Sequence, residues 1–441
     1  MRLLVILLIS IFPVPVFEKY SDGEFVCASI EQDVNFVEDR TVPAEGYVIE
    51  VNSSAASVRY SDGGGLFYAR QTLKEISAPR KDGTLSLRCC NIEDYPRVPW
   101  RGFMLDSGRQ YQSPRTIKHM LDMMASLKMN VFHWHLTEGL GWRIEIKKYP
   151  GLTEKGAFVA GGPEQQGFYT QEEIREIVSY ASERNITVVP EIDMPGHAEA
   201  ALNAYPRLSC FKEAAEIPET GFTQVIFCAG KNRTLRFLKD VLDEICDLFP
   251  SEYIHLGGDE APKGNWDSCP DCARRMRREG LEDSHELQMW FSARMADHLK
   301  KKGRKAIFWE DVVHGSDFQL PDNVAIQWWN YRGHGDLAVK RALEKGYELI
   351  CSPNYYTYLN FPTETWKGYA PDRTFSLKDA YYHNPLEDGI GSDSPLVLGG
   401  ECALWTDYGL IEEMLDERLF PRIYAIAQIL WSERKVPIPD R

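Results

Sequence analysis

No uninterrupted apolar run in this 441-residue chain reaches the roughly 20 residues that a membrane-spanning helix needs. The nearest approach is LLVILLISIFPVPVF after Met1-Arg2, broken by Pro13 and Pro15. One positive charge ahead of a short apolar run predicts a secretory leader ending near residue 20. The expected location is therefore secreted, periplasmic or lysosomal, with no membrane span in the mature chain. The chain also lacks a basic patch or arm, and its formal charge is −15, which excludes nucleic acid as the expected partner. Cysteine is sparse for a disulfide scaffold: ten residues are spread over the whole length. Cys269-Pro-Asp-Cys272 is one CxxC pair, and no second pair supplies the further ligands zinc would need. The expectation is a local disulfide or two free thiols, with no metal and no cofactor.

What is present is ordinary globular material, 44% hydrophobic and 26% charged, enough for a large core and more than one domain. Aromatics reach 12%, with 11 Trp and 21 Tyr, an excess that suits either a large core or a ligand with flat faces. Residues 46–90 read as a small α/β unit. GYVIEVNSS, ASVRYS and TLSLRCC are strand-like, and GGGLFYARQTLKEI is a glycine turn into a helix. IEDYPRVPW reads as the linker. The expected division is a leader over 1–20, a small α/β domain over 21–95 and a second domain over 96–441. Sequons stand at Asn52, Asn185 and Asn232.

From Trp100 onward, apolar runs alternate with helical stretches. Eight runs are strand-like: WRGFMLD, NVFHWHL, TVVPEID, YIHLGG, KAIFWE, VAIQWW, YELICS and LVLGGECALW. Ser113-Pro114 predicts a helix start, with serine as N-cap and proline in the first turn. Thr170 and Glu173 predict a capping box. Leu235, Leu238, Val241, Leu242, Ile245 and Leu248 form a helical stripe. A long helix is expected from His285 to Lys302, ended by Gly303. The helix signal after the fifth strand is weak. The pattern predicts an α/β fold, a (β/α)₈ TIM barrel preceded by the small α/β domain.

In such a barrel the chemistry sits at the C-terminal ends of the strands. Polar residues cluster there: Asp106, His133, His135, Glu138, Asp193, His197, Asp259, Glu260, Glu310 and Asp407. IHLGGDEAP ends the fourth strand with Asp259 and Glu260 side by side, after two glycines. Neighbouring residues point in different directions, so one carboxyl can donate a proton while the other grips a substrate group. A pair cannot easily straddle a glycosidic bond at the ~5–5.5 Å of an ordinary retaining glycosidase. Alternatively, the pair only caps the next helix. His133 and His135 share a strand face. They suit half of a metal site, completed by His197 and His255, or imidazoles hydrogen-bonded to carboxylates. A histidine in PGH, His197, can reach the barrel mouth or stay solvated. Tyr355, Tyr356 and Tyr358 suit either an inward hydroxyl or a packed aromatic loop.

Taken together, VPWRGFMLDSGR, NVFHWHLTEGLGWRIEIKKYP, PEIDMPGH, HLGGDE, FWED, IQWW, YLN, GGECALWTDY and LFPRIYAIAQILWS resemble glycoside hydrolase family 20, the β-N-acetylhexosaminidases, in order and over nearly the whole barrel. GYVIEV and GLFYARQTL resemble that family's small N-terminal domain. The resemblance implies an exo-acting retaining enzyme that removes terminal GlcNAc or GalNAc from glycans or chito-oligosaccharides. Its nucleophile would be the substrate's own acetamido oxygen. Glu260 would be the general acid/base and Asp259 the partner of the acetamido N–H. Tyr358 would donate to the acetamido oxygen, and Glu138 would orient His197 toward the acid. Arg101 and Asp407 would bind sugar hydroxyls. Trp309, Trp329 and Trp405 would wall the sugar and acetamido pocket. Asn360 stands where members carry Asp or Asn. Glu138 replaces an aspartate in LTEGLGWR, and Gly139 and Leu140 replace polar residues. Two rival readings are a carbohydrate-binding pseudoenzyme on the same barrel and a metal-dependent amidohydrolase built on His133 and His135.

Overall fold

A computed structural model of the chain describes residues 11–162, 165–217, 225–314, 318–330, 335–363, 374–386, 394–407 and 409–434. All eight sequence-predicted runs form parallel strands of one closed barrel. In chain order they are Trp100–Asp106, Val131–His135, Thr187–Glu191, Tyr253–His255, Lys305–Trp309, Val324–Trp328, Glu348–Cys351 and Val397–Leu404. The last pairs with the first over Gly399–Leu404, which closes the cylinder. Every residue of the first strand is buried, as expected where helices cover one face and the barrel interior the other.

The helix signals act locally as their chemistry dictates. Ser113 caps Pro114–Ser126 by accepting from Thr116 N–H, with proline in the first turn. Thr170 and Glu173 make a reciprocal capping box on Gln171–Ser182. In Asn232–Leu248, Leu238, Val241, Leu242, Ile245 and Leu248 are buried as one stripe. Ser284–Lys301 is the long helix, and Gly303 follows it at φ 71°. After the fifth strand only a 3₁₀ turn, Glu310–Val313, is described, which explains the weak helical signal there.

The small domain is a sheet ordered Phe17–Cys27, Leu85–Asp94, Tyr47–Val51, Ala56–Tyr60 and Val34–Glu38. The helix Gly63–Glu75 belongs to the same domain and buries Tyr68, Ala69 and Leu73. The strand Phe17–Cys27 crosses the expected boundary at residue 20, and Ile11 is buried in the same core. The ordered small domain therefore starts ahead of residue 21. Residues 1–10 of the expected leader lie outside the described residues. The IEDYPRVPW segment is not a loose linker. Asp94 accepts from Trp431 Nε1 at 2.8 Å and from Lys128 Nζ at 2.7 Å, and Trp431 of the last barrel helix sits in the small domain's core. This buried seam lies at the N-terminal end of the barrel and leaves the other end open.

Inside the barrel, Trp100, Val131, Val189, Ile307, Ala325 and Ile350 form an apolar floor. Further along the strands toward the open end, the interior turns polar.

Candidate active site

The fourth strand ends at His255, and the chain then turns through Gly257 at φ 64° and Gly258 at φ 104°. A β-carbon on Gly257 would run into the Asp193 carboxylate, so the close approach of strands three and four requires glycine there. Glu260 itself has φ 47° and His197 φ 48°, conformations that side-chain-bearing residues adopt at a cost. The turn aims both carboxylates at one imidazole. His197 Nε2 lies 3.4 Å from Asp259 Oδ2 and 3.7 Å from Glu260 Oε2. Asp259 is tucked in, with 14% of its side chain exposed, whereas Glu260 keeps 37% open at the barrel mouth. Loss of water and then the charge of Asp259 push the Glu260 carboxyl up to about 7, so near neutral pH it holds a proton it can give away.

Behind His197 runs an alternating chain of carboxylates and imidazoles. His197 Nδ1 is 2.8 Å from Glu138 Oε1. Glu138 Oε2 lies 3.4 Å from both Arg109 Nη2 and His135 Nε2. Burial opposes the charge on Glu138, but Arg109 and His197 outweigh it and hold the carboxyl well below its ordinary range. The extra methylene of glutamate thus spans to three cationic groups at once. Glu191 is bonded by His135 Nδ1, by His133 Nε2 at 3.0 Å and by Trp309 Nε1 at 2.9 Å. His133 Nδ1 then meets Glu401 at 2.7 Å. Burial again works against charge, yet Glu401 and Glu191 raise His133 to about 9. Both its nitrogens face carboxylates. Of the two roles open to the His-x-His pair, the geometry is the carboxylate-bonded one.

Trp405 sits centrally among the aromatic groups, 5.0 Å from the His135 ring, 6.0 Å from Trp309 and 6.0 Å from Tyr358 between centroids. Tyr358 follows the short helix Asn354–Thr357, is buried, and feels the charges of Glu310, Asp259 and Glu260. Trp329 is pinned by Nε1 to Asp311 Oδ2 at 2.8 Å. Trp309 is almost wholly buried and spends its N–H on Glu191, so it is floor beneath Trp405 rather than open wall. Asn360 Nδ2 donates to Asp407 Oδ1 at 3.3 Å.

Arg101 is not in this group. It is the second residue of the first strand, Trp100–Asp106, at the closed end of the barrel. Its guanidinium meets Glu45 at 2.9 and 3.1 Å, Tyr68 and the carbonyls of Val98 and Lys128. It is a domain-seam residue, and the sugar-binding role expected for it is corrected. The arginine at the mouth is Arg109. It bonds Asp106 at 2.9 Å, faces Glu138 and stacks over Trp405 with 5.0 Å to the ring centroid. The signal was available: Arg101 lies near the start of a strand, whereas Arg109 follows Asp106 at its C-terminal end. Asp311 and Glu191 also shape the site and were not among the expected residues, whereas Asp193 was expected only as one of the polar strand-end residues. Asp311 accepts the Glu260 N–H at 3.3 Å, and Asp193 accepts the Gly258 N–H at 3.1 Å.

The family described as "Glycosyl hydrolase family 20, catalytic domain" matches residues 98–434, and "Glycosyl hydrolase family 20, domain 2" matches residues 10–95. A β-hexosaminidase of Porphyromonas gingivalis is 40% identical over 407 residues, covering 88% of this chain and 51% of the relative. One from Vibrio furnissii is 35% identical over 412 residues, covering 88% of this chain and 65% of the relative. The chain thus spans about half to two thirds of the length of these curated relatives. A crystal structure of a β-N-acetylhexosaminidase from Bacteroides fragilis superposes with a TM-score of 0.90 at 53% identity, covering 98% of this chain and 92% of the other.

Proposed function

The chain belongs to glycosyl hydrolase family 20, and on that footing we propose that it is an exo-acting retaining β-N-acetylhexosaminidase that releases terminal GlcNAc or GalNAc from glycans or chito-oligosaccharides. The observation that carries the reading is the Asp259–Glu260 pair itself, one carboxyl tucked in and one held protonated at an open mouth. The other mouth carboxylates described are engaged elsewhere: Asp106 and Glu138 with Arg109, Asp193 with Gly258, Asp311 with Trp329 and Glu260. Each of these is committed to a neighbouring group, whereas Asp259 and Glu260 converge on His197 at the mouth.

The chemistry then runs through the substrate. Glu260 protonates the glycosidic oxygen as the bond to the anomeric carbon breaks. The acetamido oxygen of the same sugar attacks that carbon and closes an oxazolinium ring. Asp259 accepts the acetamido N–H and offsets the positive charge on the new ring. Tyr358 donates its hydroxyl to the acetamido oxygen and holds it in attacking position. Water opens the ring from the face the leaving group vacated, with Glu260, now ionised, taking its proton. Two inversions give net retention. The indole of Trp405 presents a flat apolar face to the sugar, with Arg109 beside it and Asp407 for outer hydroxyls. A carbohydrate-binding pseudoenzyme would have no use for a proton held on Glu260.

The test compares a matched pair, an aryl β-N-acetylglucosaminide and an aryl β-glucoside. Turnover of the first and roughly 10²-fold or greater loss on the second is expected, because the internal nucleophile is missing. Comparable rates on both would mean the nucleophile comes from the protein. The export reading also stands as a proposal, with cleavage expected ahead of Ile11, which is buried in the small domain's core. N-terminal sequencing of chain recovered outside the cytoplasm checks it.

A further inference from the structure

Four cysteines that are scattered in sequence meet in one buried cluster. Cys210 follows the 3₁₀ turn Pro206–Leu208, and Cys228 precedes the helix Asn232–Leu248. Cys269 and Cys272 flank the start of the helix Pro270–Glu279. The sulfur of Cys228 lies 3.9 Å from that of Cys269 and 3.7 Å from that of Cys272, and Cys210 is 4.0 Å from Cys272. All four sulfurs fall within 4.8 Å of one another. Zinc–thiolate bonds of about 2.3 Å in a tetrahedron put sulfurs about 3.8 Å apart. The cluster has that size.

Its surroundings suit a charged centre. Gly230 packs so tightly that a β-carbon there would collide with the Asp271–Cys272 peptide. The Cys228 loop is thus pressed onto the CxxC turn by a residue that must be glycine. Cys269 is the N-cap of Pro270–Glu279, so the cluster sits at the positive end of that helix. Lys231 Nζ donates to the carbonyls of Ser209 and Cys210. On a chain of net charge −15, the adjoining cleft is basic, lined by Lys212, Lys231, Arg233, Arg236 and Arg275, with Asp271 as its acid. Four thiolates on one divalent cation carry two net negative charges, and these cations offset them.

We propose that Cys210, Cys228, Cys269 and Cys272 bind one structural zinc ion that ties the loop after the third barrel strand to the loop after the fourth. Binding moves four protons from sulfur to solvent and changes no oxidation state, so no oxidant is required. Two disulfides from the same residues would need four electrons removed. The tie reaches the catalytic loops. Phe227 N–H donates to Pro195 O at 2.9 Å, two residues before His197, and Trp266 Nε1 donates to Phe227 O at 2.9 Å, six residues after Glu260. The zinc would therefore hold His197 and Glu260 in register without touching substrate.

The full-length chain, purified without chelator, is analysed for metals by plasma mass spectrometry and for thiols after denaturation. About one zinc per chain is expected, released as a mercurial reagent titrates the cluster. Cys228→Ser and Cys272→Ser should lower zinc content at least tenfold, whereas Cys246→Ser, outside the cluster, should keep it. Because the wild-type chain is measured directly, a variant that fails to fold does not rescue the assignment. Iron in place of zinc, an intact mass lower by four hydrogens as two disulfides require, or four free thiols with no metal would each overturn it.

Discussion

Glu260 and Asp259 divide one motif between two tasks because their surroundings differ. Glu260 must be protonated to donate, and its carboxyl is pushed up to about 7 by burial first and by Asp259 second. On substrates whose leaving group needs protonation, kcat/KM should therefore fall as pH rises through about 7. Asp259→Asn removes the second cause, so the alkaline limb of the residual activity should move to lower pH. A limb that stays in place or moves up would refute the coupling. The two arginines divide equally cleanly. Arg109→Ala should raise KM by about tenfold or more, since a charge-assisted contact contributes about 1.5–3 kcal/mol. Arg101→Ala should leave KM unchanged and destabilise the fold by about 2–3 kcal/mol, below the fully buried case because Glu45 stays 21% exposed. Steady-state kinetics beside thermal melts on both variants decides. Equal KM effects would return Arg101 to the sugar site.

The strand-to-loop turn after the fourth strand is the element on which the site depends. Its carboxylates are aimed by backbone, through Gly257, Gly258 and the positive φ of Glu260. Gly257→Ala would force a side chain into a left-handed conformation and against Asp193. It should cost about 1–3 kcal/mol of stability and lower kcat more than it raises KM. A melt and a kcat within error of the parent protein would show that the turn tolerates a β-carbon. The third-strand loop answers this turn from across the mouth, carrying His197 at φ 48° with its Nδ1 held by Glu138.

At the scale of the molecule, the barrel interior is an electrostatic stack between an apolar floor and an open mouth. Its pH response follows from the signs. His133 is raised from 6.5 to about 9, so the stability it contributes is full below 6.5 and lost as pH climbs through 9. The carboxyls of Asp193 and Glu310 are raised well above 3.8 and 4.5, so they favour the folded state while protonated and that contribution is lost progressively as pH climbs above those values. Glu138 and Glu191 are depressed, so their contribution is full above 4.5 and lost as pH falls below it. The melting temperature should therefore be highest near pH 4.5, fall slowly above it as the raised carboxyls lose their advantage, and fall further from 6.5 toward pH 9. A Tm that rises from pH 6.5 to 9 would contradict the charge states assigned to the stack.

Sequence alone determined the eight barrel strands, the capped helices and the end of the barrel where the chemistry sits. These are local consequences of apolar periodicity, capping residues and glycine, and HLGGDE carries its turn and its carboxylates in six consecutive residues. Tertiary structure decided what each arginine touches: Arg101 meets Glu45 and Tyr68 of the small domain, and Arg109 meets Glu138 and Trp405 at the mouth, partners that no local window contains. It also decided that Phe17–Cys27 is an edge strand of the small domain, since its charges and a bulge near Tyr20 hide the alternation. The partners of His133 come from strands 58 and 268 residues away, and Cys210 lies 62 residues from Cys272. Such pairings leave no trace in a local window, because closure of the barrel is what brings them within bonding distance.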